Sequence, residues 1–138
     1  MRYQVTEEWI LDVPDGFQHR VEGNHLVLWK RGSTIVLTAY SYTSEKNQAT
    51  LLANLRGKAE AQRLEIIEDV KDGLKLFGFI QAEEIQPGHN RLVLHTFSTS
   101  PQGCLQTAYY LDETEELETA LRSWQSVTYH PRNEEQYE

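Results

Sequence analysis

Tight turn signals punctuate this chain, and they limit its fold more than any other feature. Asp15-Gly16 ends one strand-like run, Arg31-Gly32, Asp72-Gly73 and Pro87-Gly88 each separate two, and Pro101 opens a further link. A link of two or three residues joins antiparallel neighbours, because a parallel return needs a dozen residues or more. The runs LEIIEDV, LKLFGFIQAEEI, RLVLHTFSTS and CLQTAYYL therefore read as an antiparallel meander. HLVLWK and STIVLTAYSY, on either side of Arg31-Gly32, read as a hairpin.

Parity assigns faces to these runs. In the second hairpin strand Ile35, Leu37 and Ala39 share one face, and Val36, Thr38, Tyr40 and Tyr42 share the other. Neither set is strongly polar, so this is a central strand covered on one side and partly on the other. Near the start, Tyr3, Val5, Trp9 and Leu11 share one parity and predict a single half-buried strand over residues 3–11. That run enters Val13-Pro14-Asp15-Gly16, where proline suits the second turn position, Asp the third and Gly the fourth. Asp15 is therefore expected to bend the chain, not to do chemistry.

The period changes between Ser44 and Arg63. Gln48, Leu52, Leu55 and Ala59, flanked by Leu51, form a helical stripe, with Ser44 as the expected N-cap. Gly57 inside this helix weakens it, and its expected reason is a close approach to the sheet. A second helix is expected in DETEELETALRSW, with Asp112 and Glu115 spaced as a capping box and Leu117, Ala120, Leu121 and Trp124 as its buried stripe.

Strands grouped apart from helices give an α+β class. The expected architecture is a mostly antiparallel sheet of about six strands, one long central helix and a C-terminal helix. The chain length of 138 residues fits one domain, expected over 1–129, with 130–138 a polar tail. A composition with 39% hydrophobic residues supplies a core without staples.

Charge narrows the partners. The formal net charge is −8, and only Lys30-Arg31 are adjacent cations. This disfavours nucleic acid and anionic membrane surfaces. No apolar run approaches the ~20 residues a span requires, so no membrane insertion is expected. With no leader-like pattern at the N-terminus, the expected location is cytoplasmic.

Chemical motifs are sparse. No pair of the five histidines has HxxH or HxxxH spacing, no nucleotide or hydrolase signature is present, and no cofactor or metal is expected. The single cysteine, Cys104, reads as a buried thiol in a strand. Glu7-Glu8 and Glu83-Glu84 are strand neighbours that point to opposite faces and cannot easily share a substrate, while Glu115-Glu116 open a helix. His95, sharing parity with Val93 and Phe97, is the histidine best placed for a role, though a core or cross-strand packing role suits it better than that of a catalytic base. Trp29, Tyr40 and Tyr42 lie on the adjacent strands of the hairpin, and such residues anchor interfaces as well as cores.

A strand running through LDVPDGF into a proline turn and an aromatic, then a hairpin, a helix and a closing helix with Trp124, resembles the PsbP-like or Mog-like α/β/α sandwich group, which includes bacterial DcrB-like proteins. The resemblance spans residues 3–127 and implies a binding scaffold. Members of that group dock on a small GTPase, assist photosystem assembly or act as chaperones for secreted effectors. Membrane-anchored members carry a leader or a lipid-attachment cysteine, which this sequence does not show. No functional residue carries over, because no site motif matches.

The expected function is a non-catalytic protein-binding module with a protein partner, using Trp29, Tyr40, Tyr42 and His95. One alternative is an acidic immunity or inhibitor protein against a basic toxin, which requires a clustered acidic face. Another is a small-molecule binder or enzyme that uses His95 with acids from neighbouring strands.

Overall fold

The computed structural model describes residues 1–43 and 47–131. The turn signals deliver an antiparallel meander and hairpin, as the sequence predicts. The strands are β1 (Arg2–Gln4), β2 (Trp9–Asp12), β3 (Gln18–Glu22), β4 (His25–Lys30), β5 (Ser33–Ser41), β6 (Glu65–Lys71), β7 (Leu74–Gln86), β8 (His89–Thr99), β9 (Gly103–Leu111) and β10 (Thr128–Tyr129). The helices are α1 (Gln48–Ala61) and α2 (Glu116–Gln125). Seven strands form one sheet in the order β3-β4-β5-β9-β8-β7-β6, and β1-β2-β10 form a smaller one. The class is α+β, as expected, with more strands than the six anticipated.

The N-terminal strand is a correction. Residues 3–11 are not one strand but a hairpin, in which Tyr3 pairs with Leu11 and Gln4 with Ile10. The Thr6 hydroxyl accepts from the Glu8 and Trp9 amides at 3.2 Å each and so closes the reversal. Parity survives because directly paired residues share a face: Tyr3, Val5, Trp9 and Leu11 all join one core. The strand β3 has no counterpart in the sequence reading. Every one of its residues is exposed, so no apolar alternation marks it.

Asp15 and Gly16 are the central residues of their turn, and Gly16 takes φ 97°, a conformation that favours glycine. Glycine thus sits one place earlier in the turn than its expected fourth position. The Asp15 side chain is 95% exposed, 3.5 Å from the terminal amine of Met1. It bends the chain.

The two sheet faces are covered differently. On one, α2 and the small sheet pack Trp9, Leu11, Ala120, Trp124 and Val127 over Leu28, Ile35, Leu37, Leu76, Leu94, Leu105 and Tyr109. Gly78 in β7 makes room there: a Cβ would lie 2.8 Å from Trp124 Cη2. The indole donates to Ser98 Oγ at 3.1 Å. Ser123 joins three elements, accepting from the Tyr109 hydroxyl at 3.1 Å and donating to the Asp12 carbonyl at 2.6 Å. Lys71 Nζ donates to the carbonyls of Gln125 and Val127 at the end of α2, where a cation favours the helix dipole.

On the other face α1 sets Leu51, Leu52, Leu55 and Ala59 against Phe77, Phe79, Phe97 and Cys104. Three expectations about the helices fail. The N-cap of α1 is Asn47, whose Oδ1 accepts from the Thr50 amide at 2.9 Å, whereas Ser44 lies outside the described residues. Gly57 faces open space, with nothing within 4 Å of a Cβ built on it, so no close approach explains it. The capping box of α2 does not form: the helix starts at Glu116, and Glu115 makes no side-chain cap bond. Its predicted stripe holds, with Ala120 and Trp124 buried and Leu117 and Leu121 packed beside them.

Candidate functional site

Cross-strand pairing decides which side chains meet, since residues directly opposite on antiparallel strands share a face. Trp29 pairs with Thr34, Thr34 with Tyr110 and Tyr110 with Val93. In the next row Arg20 pairs with Val27, Val27 with Val36, Val36 with Ala108, Ala108 with His95 and His95 with Phe79. A third row runs Glu22 and His25, then, across a side-chain contact from His25, Thr38, Gln106 and Phe97. Tyr40 follows, opposite Cys104. All four residues singled out from sequence therefore stand on the face that carries α1.

That helix reaches only part of the face. Its core partners come from β6, β7, β8 and the start of β9. The part formed by β3, β4, β5 and the rest of β9 carries no helix. Its floor is the small apolar row Val27, Val36 and Ala108, of which Val27 and Ala108 are buried and Val36 is half-buried. On one side stand Trp29 and Tyr110, each covered by a guanidinium: Arg20 lies 4.7 Å from the Trp29 ring centre and Arg91 lies 4.9 Å from that of Tyr110. On the other side His25 Nδ1 and Thr38 Oγ1 are 2.6 Å apart.

The charges on this open part nearly cancel. Arg20 pairs with Glu22 at 2.6 Å, and Arg91 with Glu83 at 3.0 Å. In a chain of net charge −8 this is a region without a strong field.

The four sequence candidates separate by role. Trp29 is half-buried on the open part. Tyr42 packs into the core beneath α1, and burial, with the neighbouring Cys104 thiol, holds its phenol above the ordinary range. Tyr40 is 37% exposed and lies at the end of the sheet. Burial first, then the Cys104 thiol, also raises its phenol. His95 stacks on Phe79 with ring centres 5.0 Å apart. Burial lowers its pKa, Glu83 opposes that shift, and Lys58 adds to it. The imidazole is thus biased toward its neutral form, and no hydrogen bond holds either ring nitrogen among the described residues.

A cleft of about 720 Å³ opens where the two sheets meet, lined by Thr6, Glu8, Trp9, Tyr40, Gln102 and Tyr129 among others. Tyr129 is backed by Trp9, with ring centres 4.5 Å apart, and its hydroxyl donates to Gln102 Oε1 at 3.3 Å. Sequence reasoning missed Arg20, Tyr110 and Arg91 as members of the open face, and Trp9 and Tyr129 as cleft residues. Their neighbours depend on strand order, which no local pattern encodes. The described residues contain no cluster of three or more His, Cys, Asp or Glu able to hold a metal ion, and none of their helices is long and apolar enough to cross a membrane.

Comparison with known proteins places the fold. No family model matches the chain, and no curated protein matches it. Solved structures do. A protein of Bacteroides thetaiotaomicron VPI-5482 is similar with a TM-score of 0.67 at 8% identity, over 90% of this chain and 46% of that one, so this chain spans about half its length. LpqN, involved in cell envelope biogenesis of Mycobacterium tuberculosis, is similar with a TM-score of 0.62 at 18% identity, over 89% of this chain and 83% of that one. Cyanobacterial PsbP (CyanoP) from Synechocystis sp. PCC 6803 is similar with a TM-score of 0.60 at 14% identity, over 94% and 92%. The chain has a PsbP-like fold. At such identities the likeness extends to the fold and not to the function.

Proposed function

We propose that the protein is a non-catalytic binding module that docks a partner protein on the open part of the sheet face bearing α1. The observation that carries this reading is the composition of that surface: half-buried Trp29 and Tyr110 under Arg20 and Arg91, held in place by the buried apolar row beneath them. Trp, Tyr and Arg are the residue types that dominate binding energy at interfaces. The partner is one that presents an apolar, weakly charged surface. The near-neutral face offers a strongly basic protein little attraction, which separates this reading from an acidic inhibitor. His95 contributes a neutral, stacked ring to the floor and not a proton-transfer group.

The test is capture with tagged protein at low and at high salt, with identification by mass spectrometry, repeated with Trp29→Ala and Tyr110→Ala. The expected result is a stoichiometric partner that survives high salt and is lost in both variants. A partner retained by both variants, or one released by salt alone, would overturn the assignment. Release by salt alone would point instead to the acidic segment 112–118, which holds Asp112, Glu113, Glu115, Glu116 and Glu118. A cytoplasmic location belongs to the same proposal, and cell fractionation tests it.

A further inference from the structure

The cleft between the two sheets is separate from the open face and has its own chemistry. Its volume of about 720 Å³ falls in the range that takes a small organic ligand. One wall is aromatic: Tyr129 of β10, backed by Trp9 of β2. The end of β5, Ala39 to Ser41, lines it from the main sheet, with the Tyr40 ring itself on the face that carries α1. The remaining polar side chains that line it, those of Thr6, Glu8, Ser41 and Gln102, all offer oxygen acceptors. Among the described residues that line it, none is Lys, Arg or His, and Glu8 is the one that carries a formal charge.

The Glu8 carboxylate is half-buried and oriented, accepting from the Thr6 hydroxyl at 3.1 Å. An aromatic face attracts a cation through its quadrupole, and a carboxylate attracts it through its charge. Both terms strengthen where walls exclude water, and the chain's −8 charge adds a favourable background field. We infer that this cleft binds an organic cation, an ammonium or guanidinium group, with Glu8 as the charge partner and Tyr129, backed by Trp9, as the aromatic wall. The guest shares Glu8 with the groups that residue already contacts. An anion would meet the repulsion of the Glu8 carboxylate, with no cation among the described lining residues to offset it. A neutral polyol would forgo the charge and the cation–π attraction.

The same chemistry has two sources, a free amine or a basic side chain of a peptide. Both enter the experiment, an amide-shift NMR titration of the whole chain. The probes are 1,5-diaminopentane, tetramethylammonium and a short lysine-containing peptide, with 1,5-pentanediol as the neutral isostere of the diamine. Sodium chloride at matched ionic strength controls for screening. The expected result is saturable shifts at the Trp9 indole, the Gln102 side-chain amide and the Gly103 amide with a cation and not with the diol. Shifts with the diamine identify a small amine as the ligand, whereas shifts with the peptide alone assign the same site to a basic side chain.

Glu8→Gln keeps the acceptor for Thr6 and removes the charge, and it is expected to weaken binding by about tenfold or more. Tyr129→Leu, which keeps much of the volume, is expected to weaken it by about threefold to tenfold. The inference is overturned if no cation shifts these signals at tens of millimolar, if the diol shifts them equally, or if Glu8→Gln binds as the parent does. Both variants are checked for a native spectrum first, so a folding defect is not read as lost binding.

Discussion

The two faces of the seven-stranded sheet solve the burial problem in opposite ways. The face under α2 is closed. Trp124 fits against Gly78, the indole reaches Ser98, and Ser123 ties the helix to Tyr109 and to the small sheet. The face under α1 is half closed. The helix presses four small and medium apolar residues onto a phenylalanine cluster and leaves β3, β4 and β5 without a helix on that face. A closed face carries interlocked packing and hydrogen bonds, so changes there cost stability. A half-closed face leaves its aromatics to arginines, so changes there should cost little stability and affect binding. The partner proposal rests on this asymmetry.

The sharpest way to break the comparison is Trp124→Ala. Truncating a buried tryptophan costs about 3–5 kcal/mol, and here it also removes the Ser98 bond, so urea unfolding should show the largest loss in the molecule. A loss comparable to that of Trp29→Ala would mean that the two faces do not differ. Next comes Gly78→Ala. The added methyl meets Trp124 ring carbons at 2.8 and 3.0 Å and the His95 carbonyl at 3.1 Å, and such overpacking costs about 1–3 kcal/mol. A melting temperature equal to the parent's would show that Trp124 gives way freely.

Gly57→Ala should move stability the other way, by about 1 kcal/mol upward, because the position is helical, exposed and open. A decrease in denaturant midpoint would reveal a contact that the open geometry excludes. The smallest effect at neutral pH belongs to Cys104. Burial pushes its thiol from 9.0 up to about 12. A raised acid pKa favours the neutral form in the native state, so this contribution is complete below pH 9 and is lost as pH rises toward about 12. Native protein at pH 8 should resist thiol labelling, and urea-unfolded protein should react. Rapid labelling of the native state would show that α1 does not seal its side of the sheet.

Legibility followed the range of the interactions. The Arg31-Gly32, Asp72-Gly73 and Pro87-Gly88 links were readable because a turn is set by its own residues. The stripe of α2 and the face of Ile35 and Leu37 were readable because periodicity is local. Caps were less so. Asn47 displaced Ser44, and Asp112 and Glu115 had the right spacing without forming the bonds, since a helix start shifts by a turn at little cost. The strand β3 was invisible because it is made by pairing alone, with no buried face to leave a pattern.

The candidate site was legible only in part. Trp29, Tyr40, Tyr42 and His95 were visible as residue types in strands, and parity within β5 grouped Tyr40 with Tyr42. Parity could not say that β9 would lie beside β5 and bring Tyr110 into the row of Trp29. Nor could it say that Tyr42 would be drawn under α1 while Tyr40 stayed exposed at the end of the sheet.

The sequence by itself determined the class, the turns, the helix stripes and the in-and-out alternation, because each depends on residues within a few positions of one another. Tertiary structure decided the strand order, the folding of residues 3–11 into a hairpin, the union of that hairpin with β10 and the extent of α1's cover. Those depend on contacts between residues far apart in the chain, where many pairings satisfy the same local pattern and only the best joint burial selects one.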